Sequence, residues 1–129
     1  MEAMNFIPYI SVGAIKFGES RSNVRFVMGA YKEYKKNKFS SNTLDDFGGC
    51  QVFYTRANTV EAVELYRNVE LLYKGANLFN MNEEELISIF NDSQLKKDEY
   101  GLTFPTVGVS ITLVDGLPDS ILMYQRGYM

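Results

Sequence analysis

The chain has 129 residues, 46% apolar and 22% charged, with 16 acidic residues against 13 basic ones. A chain of this length buries roughly two-thirds of its unfolded surface, so a globular body without staples is expected and global disorder is excluded. A net charge of −3 argues against tracking a phosphate backbone, and the lack of any histidine removes the commonest general base and metal ligand.

The first segment, Met1 to Ile10, shows no basic run leading into a long apolar one. No stretch of the chain approaches the roughly 18 apolar residues of a membrane span. Cys50 is the single cysteine and cannot form an internal disulfide. A reducing, cytoplasmic setting is therefore expected.

Next comes Gly13-Ala14-Ile15-Lys16-Phe17, then a short helix. Ser20 is a good N-cap, Val24, Val27 and Met28 fall at i, i+3 and i+4, and Gly29 is a C-terminal stop. Lys32, Lys35, Lys36 and Lys38 follow, interleaved with Tyr31, Tyr34 and Phe39. That mix occurs in nucleic-acid grooves, but Glu33, Asp45 and Asp46 lie close by, and a lysine-guarded edge strand is the preferred reading. Strands are expected near Tyr31 to Lys35 and near Leu44 to Phe47. Cys50, Val52 and Tyr54 alternate as a strand, Arg56-Ala57-Asn58 make a turn, and Val60 to Tyr66 return.

The pattern then recurs. Gly75-Ala76-Asn77-Leu78-Phe79 repeats the Gly13 motif 62 residues on (13 to 75). The same offset pairs Gly18 with Asn80, Ser20 with Asn82 and Gly29 with Asn91, and it matches Leu86, Ile89 and Phe90 to the first helical stripe. Asparagine is the residue that best replaces glycine where φ is positive. Asn82 and Glu85 are spaced as a capping box, and Glu83, Glu84 and Glu85 suit a helix N-terminus. A strand near Leu102 to Phe104 ends at Pro105. Val109, Ile111 and Leu113 alternate, Asp115-Gly116 turn, and Ser120 to Tyr124 return. The expected fold is thus α+β: a tandem repeat of a helix plus an antiparallel hairpin, with the helices packed on one face of an antiparallel sheet. Residues 1–129 are expected to form one domain of two pseudo-repeats, about 7–67 and 69–127.

The run Ile15-Lys16-Phe17-Gly18-Glu19-Ser20, continued by Val24, Met28 and Gly29, gives Gly-x-Ser, an aliphatic residue six after the glycine, and Met-Gly at ten and eleven. This resembles the signature that opens each repeat of the β-lactamase inhibitor protein fold, shared with the single-repeat BamE (SmpA/OmlA) lipoproteins. Asn80-Met81-Asn82 through Leu86, Phe90 and Asn91 is a degenerate second copy. Ala30 and Tyr31 stand where those lipoproteins often carry a proline. The resemblance implies helices on one face of an antiparallel sheet and a concave opposite face that grips another protein.

Little in the chain equips an enzyme. Cys50 has no histidine to activate it, and its place in an alternating strand implies burial. Asp45-Asp46 is the one adjacent aspartate pair. Strand neighbours point to opposite faces and turn neighbours meet water, so a solvated loop beside Gly48 and Gly49 is the preferred reading. No phosphate loop, calcium loop, metal site or cofactor motif is present. With 9 Tyr and 9 Phe but no Trp, tyrosines of the hairpins are the best hint of a recognition surface.

The leading expectation is a protein-binding module, in its concrete form an intracellular bacterial immunity-type inhibitor. Its acidity favours a basic toxin domain as partner rather than nucleic acid or membrane. The candidate contacts are Asp45, Asp46, Phe47, Tyr54, Tyr66 and Tyr124. The alternatives are a small-ligand-binding protein, a carboxylate enzyme built on Asp45 and Asp46, and a structural module that pairs with itself as a homodimer.

Overall fold

In the computed structural model, residues 2–39 and 42–128 are described. The elements in chain order are β1 (Met4–Ile7), β2 (Ser11–Val12), β3 (Ile15–Lys16), α1 (Arg21–Met28), β4 (Lys32–Lys35), β5 (Thr43–Asp46), β6 (Cys50–Tyr54) and β7 (Val60–Tyr66). There follow β8 (Leu71–Tyr73), β9 (Ala76–Asn77), a 3-10 turn (Leu78–Asn80), α2 (Glu83–Phe90), β10 (Lys96–Lys97), β11 (Gly101–Phe104), β12 (Val109–Val114) and β13 (Leu117–Tyr124). The fold is α+β, with two helices and a preponderance of strand.

The strands form two sheets. An eight-stranded antiparallel sheet runs β10-β11-β12-β13-β7-β6-β5-β4, and a five-stranded sheet runs β3-β2-β1-β8-β9. In the smaller sheet β1 and β8 pair in parallel. The two expected hairpins, β6–β7 and β12–β13, lie side by side through the β7–β13 pairing. The lysine-bearing strand β4 is an edge, as its composition implied.

Register shows which side chains share a face. Asp45 pairs with Val52, Val52 with Val63, Val63 with Met123, Met123 with Val109 and Val109 with Phe104. Cross-strand partners point the same way, so these six form one row. Helix α1 contacts the row at Asp45, and α2 contacts it at Phe104 through Phe90, with ring centroids 4.7 Å apart. Both helices therefore sit on the same side of the large sheet. Val24 and Leu86 are fully buried within one continuous core.

Both helices end as their sequences dictate. The Ser20 side chain accepts from the Asn23 N–H, and Asn82 and Glu85 form a reciprocal capping box at 2.9 and 3.0 Å. The two C-terminal stops are not equivalent. Asn91 is left-handed at φ 45, ψ 48, whereas Gly29 lies at φ 86, ψ −136, a region that only glycine visits readily. Asn80 also departs from Gly18: it closes the 3-10 turn and has no positive φ. The stripe expected on α1 is narrower too, since Val27 is 48% exposed. The inner face of α1 is Arg21, Val24, Arg25 and Met28, spaced i, i+3, i+4 and i+7.

Gly101 sits where β11 meets β12, and a Cβ there would lie 1.8 Å from the Ile111 carbonyl oxygen. Gly101→Ala must push the two strands apart. The expected loss is about 1–3 kcal/mol or more, read as a lowered urea midpoint.

Candidate functional site

Because β5 is a strand, Asp45 and Asp46 point to opposite faces of the sheet. Asp45 turns toward α1 and is wholly buried. Arg25 donates to it from Nε and Nη2 at 2.8 Å each. Arg21 donates from Nη2 at 2.8 Å and from Nε at 3.3 Å. The Tyr54 hydroxyl donates a further bond at 2.9 Å. Around this centre Glu33 accepts from Arg25 at 2.9 Å and from Thr43 at 2.8 Å. The arginines also lie over aromatic faces, Arg21 4.4 Å from the Tyr54 centroid and Arg25 4.0 Å from that of Tyr31.

Burial alone would push the Asp45 carboxyl upward, but the bonds from Arg25, Arg21 and Tyr54 outweigh it and hold the group at about 2. The Tyr54 hydroxyl is pushed well up, by burial first and then by its bond to Asp45. Neither group is poised to exchange protons near neutral pH. The expectation that Asp45 lies in a solvated loop is therefore corrected, as is its place, with Tyr54, among surface contacts. Both are consumed inside a salt-bridged clamp. Tyr124 is corrected likewise: it is 4% exposed, stacked on Tyr128 and edge-on to Tyr9. Burial pushes its hydroxyl up to about 12.

Phe47 falls on the helix side, 6.2 Å from the Tyr31 ring and partly packed against the core. Asp46 and Tyr66 are the expected contacts that share the opposite, helix-free face. There one row runs Lys32, Asp46, Gln51, Glu64, Leu122, Ser110 and Thr103. Tyr66 donates from its hydroxyl to Glu64 at 2.9 Å and approaches the Gln51 side-chain oxygen at 3.3 Å. Its hydroxyl is held well above the usual range by burial, by the bond to Glu64, and by the negative charges of Glu64, Asp46 and Asp119. None of those three carboxylates forms an ion pair among the described residues.

The result is a half-buried tyrosine with acidic neighbours, and Lys32 stands directly opposite one of them, Asp46. Sequence reading named Asp46 and Tyr66 but not Gln51, Glu64 and Asp119, whose approach to Tyr66 depends on cross-strand register. It also missed Arg21 and Arg25, although their i, i+4 spacing around Val24 was a legible sign of a shared face. Among the described residues no group of three or more histidine, cysteine or carboxylate side chains is placed to hold a metal ion, and no helix is long and apolar enough to cross a membrane.

No protein-family model, curated protein or solved structure matches the chain.

Two outcomes follow from the clamp and its neighbours. Asp45→Asn leaves two arginines facing a neutral amide, an expected loss of about 3 kcal/mol. In the parent chain the depressed Asp45 value makes its contribution full above the ordinary 3.8 and lost as pH falls through about 2. Urea denaturation across that window should show stability rising with pH by about 2–3 kcal/mol, and the slope should flatten in Asp45→Asn. The second concerns Cys50, which is fully buried, its thiol pushed by burial up to about 12. It should resist a disulfide-exchange reagent until denaturant unfolds the chain.

Proposed function

We propose that this chain is a protein-binding module that grips a basic partner with the helix-free face of its large sheet. The observation that carries the reading is the Tyr66 centre, where Asp46 and Glu64 lie on the helix-free face without an ion pair among the described residues and Asp119 is near enough to add negative charge. A tyrosine offers contact area at low entropic cost. Unpaired carboxylates around it attract lysine and arginine over distance and then bond them at close range. The concrete form is an intracellular bacterial immunity-type inhibitor that docks on a basic toxin domain.

We further propose that the chain arose by tandem duplication within one domain. The order two-stranded hairpin, helix, four strands runs from Ser11 to Tyr66 and again from Leu71 to Tyr124. The matched helix caps and the resemblance of the Gly18–Gly29 signature to the β-lactamase inhibitor protein fold support this reading. Self-pairing of the open faces is disfavoured, because it would bring like charges together. An enzyme built on Asp45 and Asp46 is disfavoured because the two carboxylates face away from each other.

The test compares capture of a basic partner by the tagged chain, by Glu64→Lys and by Phe26→Ser, a substitution on the exposed face of α1. Charge reversal should weaken capture about tenfold or more, and Phe26→Ser should leave it unchanged. Equal retention by all three chains, or loss confined to Phe26→Ser, would refute the assignment of the face.

A further inference from the structure

The two edges of the large sheet differ chemically. Strand β10 has two residues, and Lys97 lies 2.9 Å from Glu83. Strand β4 has four residues, all exposed. Lys32, Lys35, Lys36 and Lys38, on and just after it, form no ion pair among the described residues. Glu33, the carboxylate within β4, is already held by Arg25 and Thr43. Asp46 stands opposite Lys32, and Lys35, Lys36 and Lys38 leave the edge with a surplus of positive charge in an acidic chain.

Its backbone is open as well. The Phe47 N–H donates to the Cys50 carbonyl at 2.8 Å, which sets the alternation along β5. Asp45 bonds toward β6, while Leu44 and Asp46 bond toward their β4 partners Tyr34 and Lys32. Glu33 and Lys35 consequently turn their N–H and C=O groups away from the sheet. Beside the edge lies a cleft of about 400 Å³ lined by Tyr31, Lys32, Tyr34, Asp46 and Phe47.

We propose that β4 is an acceptor edge for an extended acidic segment of another protein, which adds as a ninth strand and seats an apolar side chain against Tyr31, Tyr34 and Phe47. An open edge offers the main-chain bonds of strand addition, and the neighbouring cleft offers side-chain selectivity. The charge chooses the occupant. Lysines on both edges discourage pairing with a second copy, and the same lysines on β4 attract aspartate and glutamate. This surface meets the Tyr66 face at Lys32 and Asp46, but it binds through the β4 main chain rather than through Tyr66, so it goes beyond the function proposed above.

The test titrates the isotope-labelled full chain with acetyl-Asp-Val-Asp-Phe-Asp-Val-Asp-amide at low salt, following backbone amides by NMR. Saturable shifts confined to residues 31–36 and Phe47, slowed exchange of the Glu33 and Lys35 amides, and at least about tenfold weakening at physiological salt are expected. Lys35→Pro removes an outward N–H and should abolish binding, while Lys35→Ala should retain most of it. Should Lys35→Pro fail to fold, a peptide N-methylated at alternate residues on its pairing edge provides the same test and should not bind. Glu64→Lys should bind the peptide as the parent chain does, which separates this proposal from the previous one. The proposal is overturned by absence of saturable binding, by equal binding of the lysine-for-aspartate peptide, by shifts centred elsewhere, or by undiminished binding of the N-methylated peptide.

Discussion

Asp45 is a carboxylate with no exposed surface, and the placement of α1 depends on it. The inner face of that helix offers one fully buried apolar side chain, Val24. Hydrophobic burial of a single valine contributes about 1.5–3 kcal/mol, little with which to fix the rotation of an eight-residue helix. Two arginines, one turn apart, reach the same carboxylate from that face. A guanidinium fork and a carboxylate fit in few orientations, so the clamp sets where α1 sits and which way it faces. Desolvation of the ions offsets much of the attraction. The contribution of the clamp is therefore orientation more than net stability.

Helix α2 solves the same problem by another route. It buries Leu86 and Phe90, and Phe90 packs between Tyr73 of the small sheet and Phe104 of the large one, at 4.9 and 4.7 Å. One end of the core row is thus closed by ions and the other by aromatic rings. Both closures fall on one side of the large sheet, and the other side carries the Asp46, Gln51 and Glu64 row beside apolar side chains such as Leu44, Phe53 and Leu122.

The modest net charge of the chain conceals an uneven distribution. Around Tyr66 the sheet face is acidic, while the β4 edge is basic. Average composition hides such a division because opposite signs cancel in the sum. A partner meets the local field, which the Debye length confines to about 8–10 Å at ordinary salt. Recognition by this molecule therefore depends on which patch is approached.

The sequence alone determined the local structure. Helix caps at Ser20 and Asn82, the left-handed stop at Asn91, the turn at Asp115-Gly116 and the alternating strands beginning at Cys50 and Val109 all follow from interactions within a few residues, so they are legible in the chain. The α+β class and the lysine edge were legible for the same reason. What only the tertiary structure decided was which side chains meet across strands. A strand is expected near Leu44 to Phe47, yet the preferred reading places Asp45 in a solvated loop, because nothing local reveals that its face is the buried one. Gln51, Glu64 and Asp119 converge on Tyr66 only once β6, β7 and β13 are in register. The side-chain period of a strand is two, so a shift of one residue sends every side chain to the other face; that choice is made by the whole sheet at once.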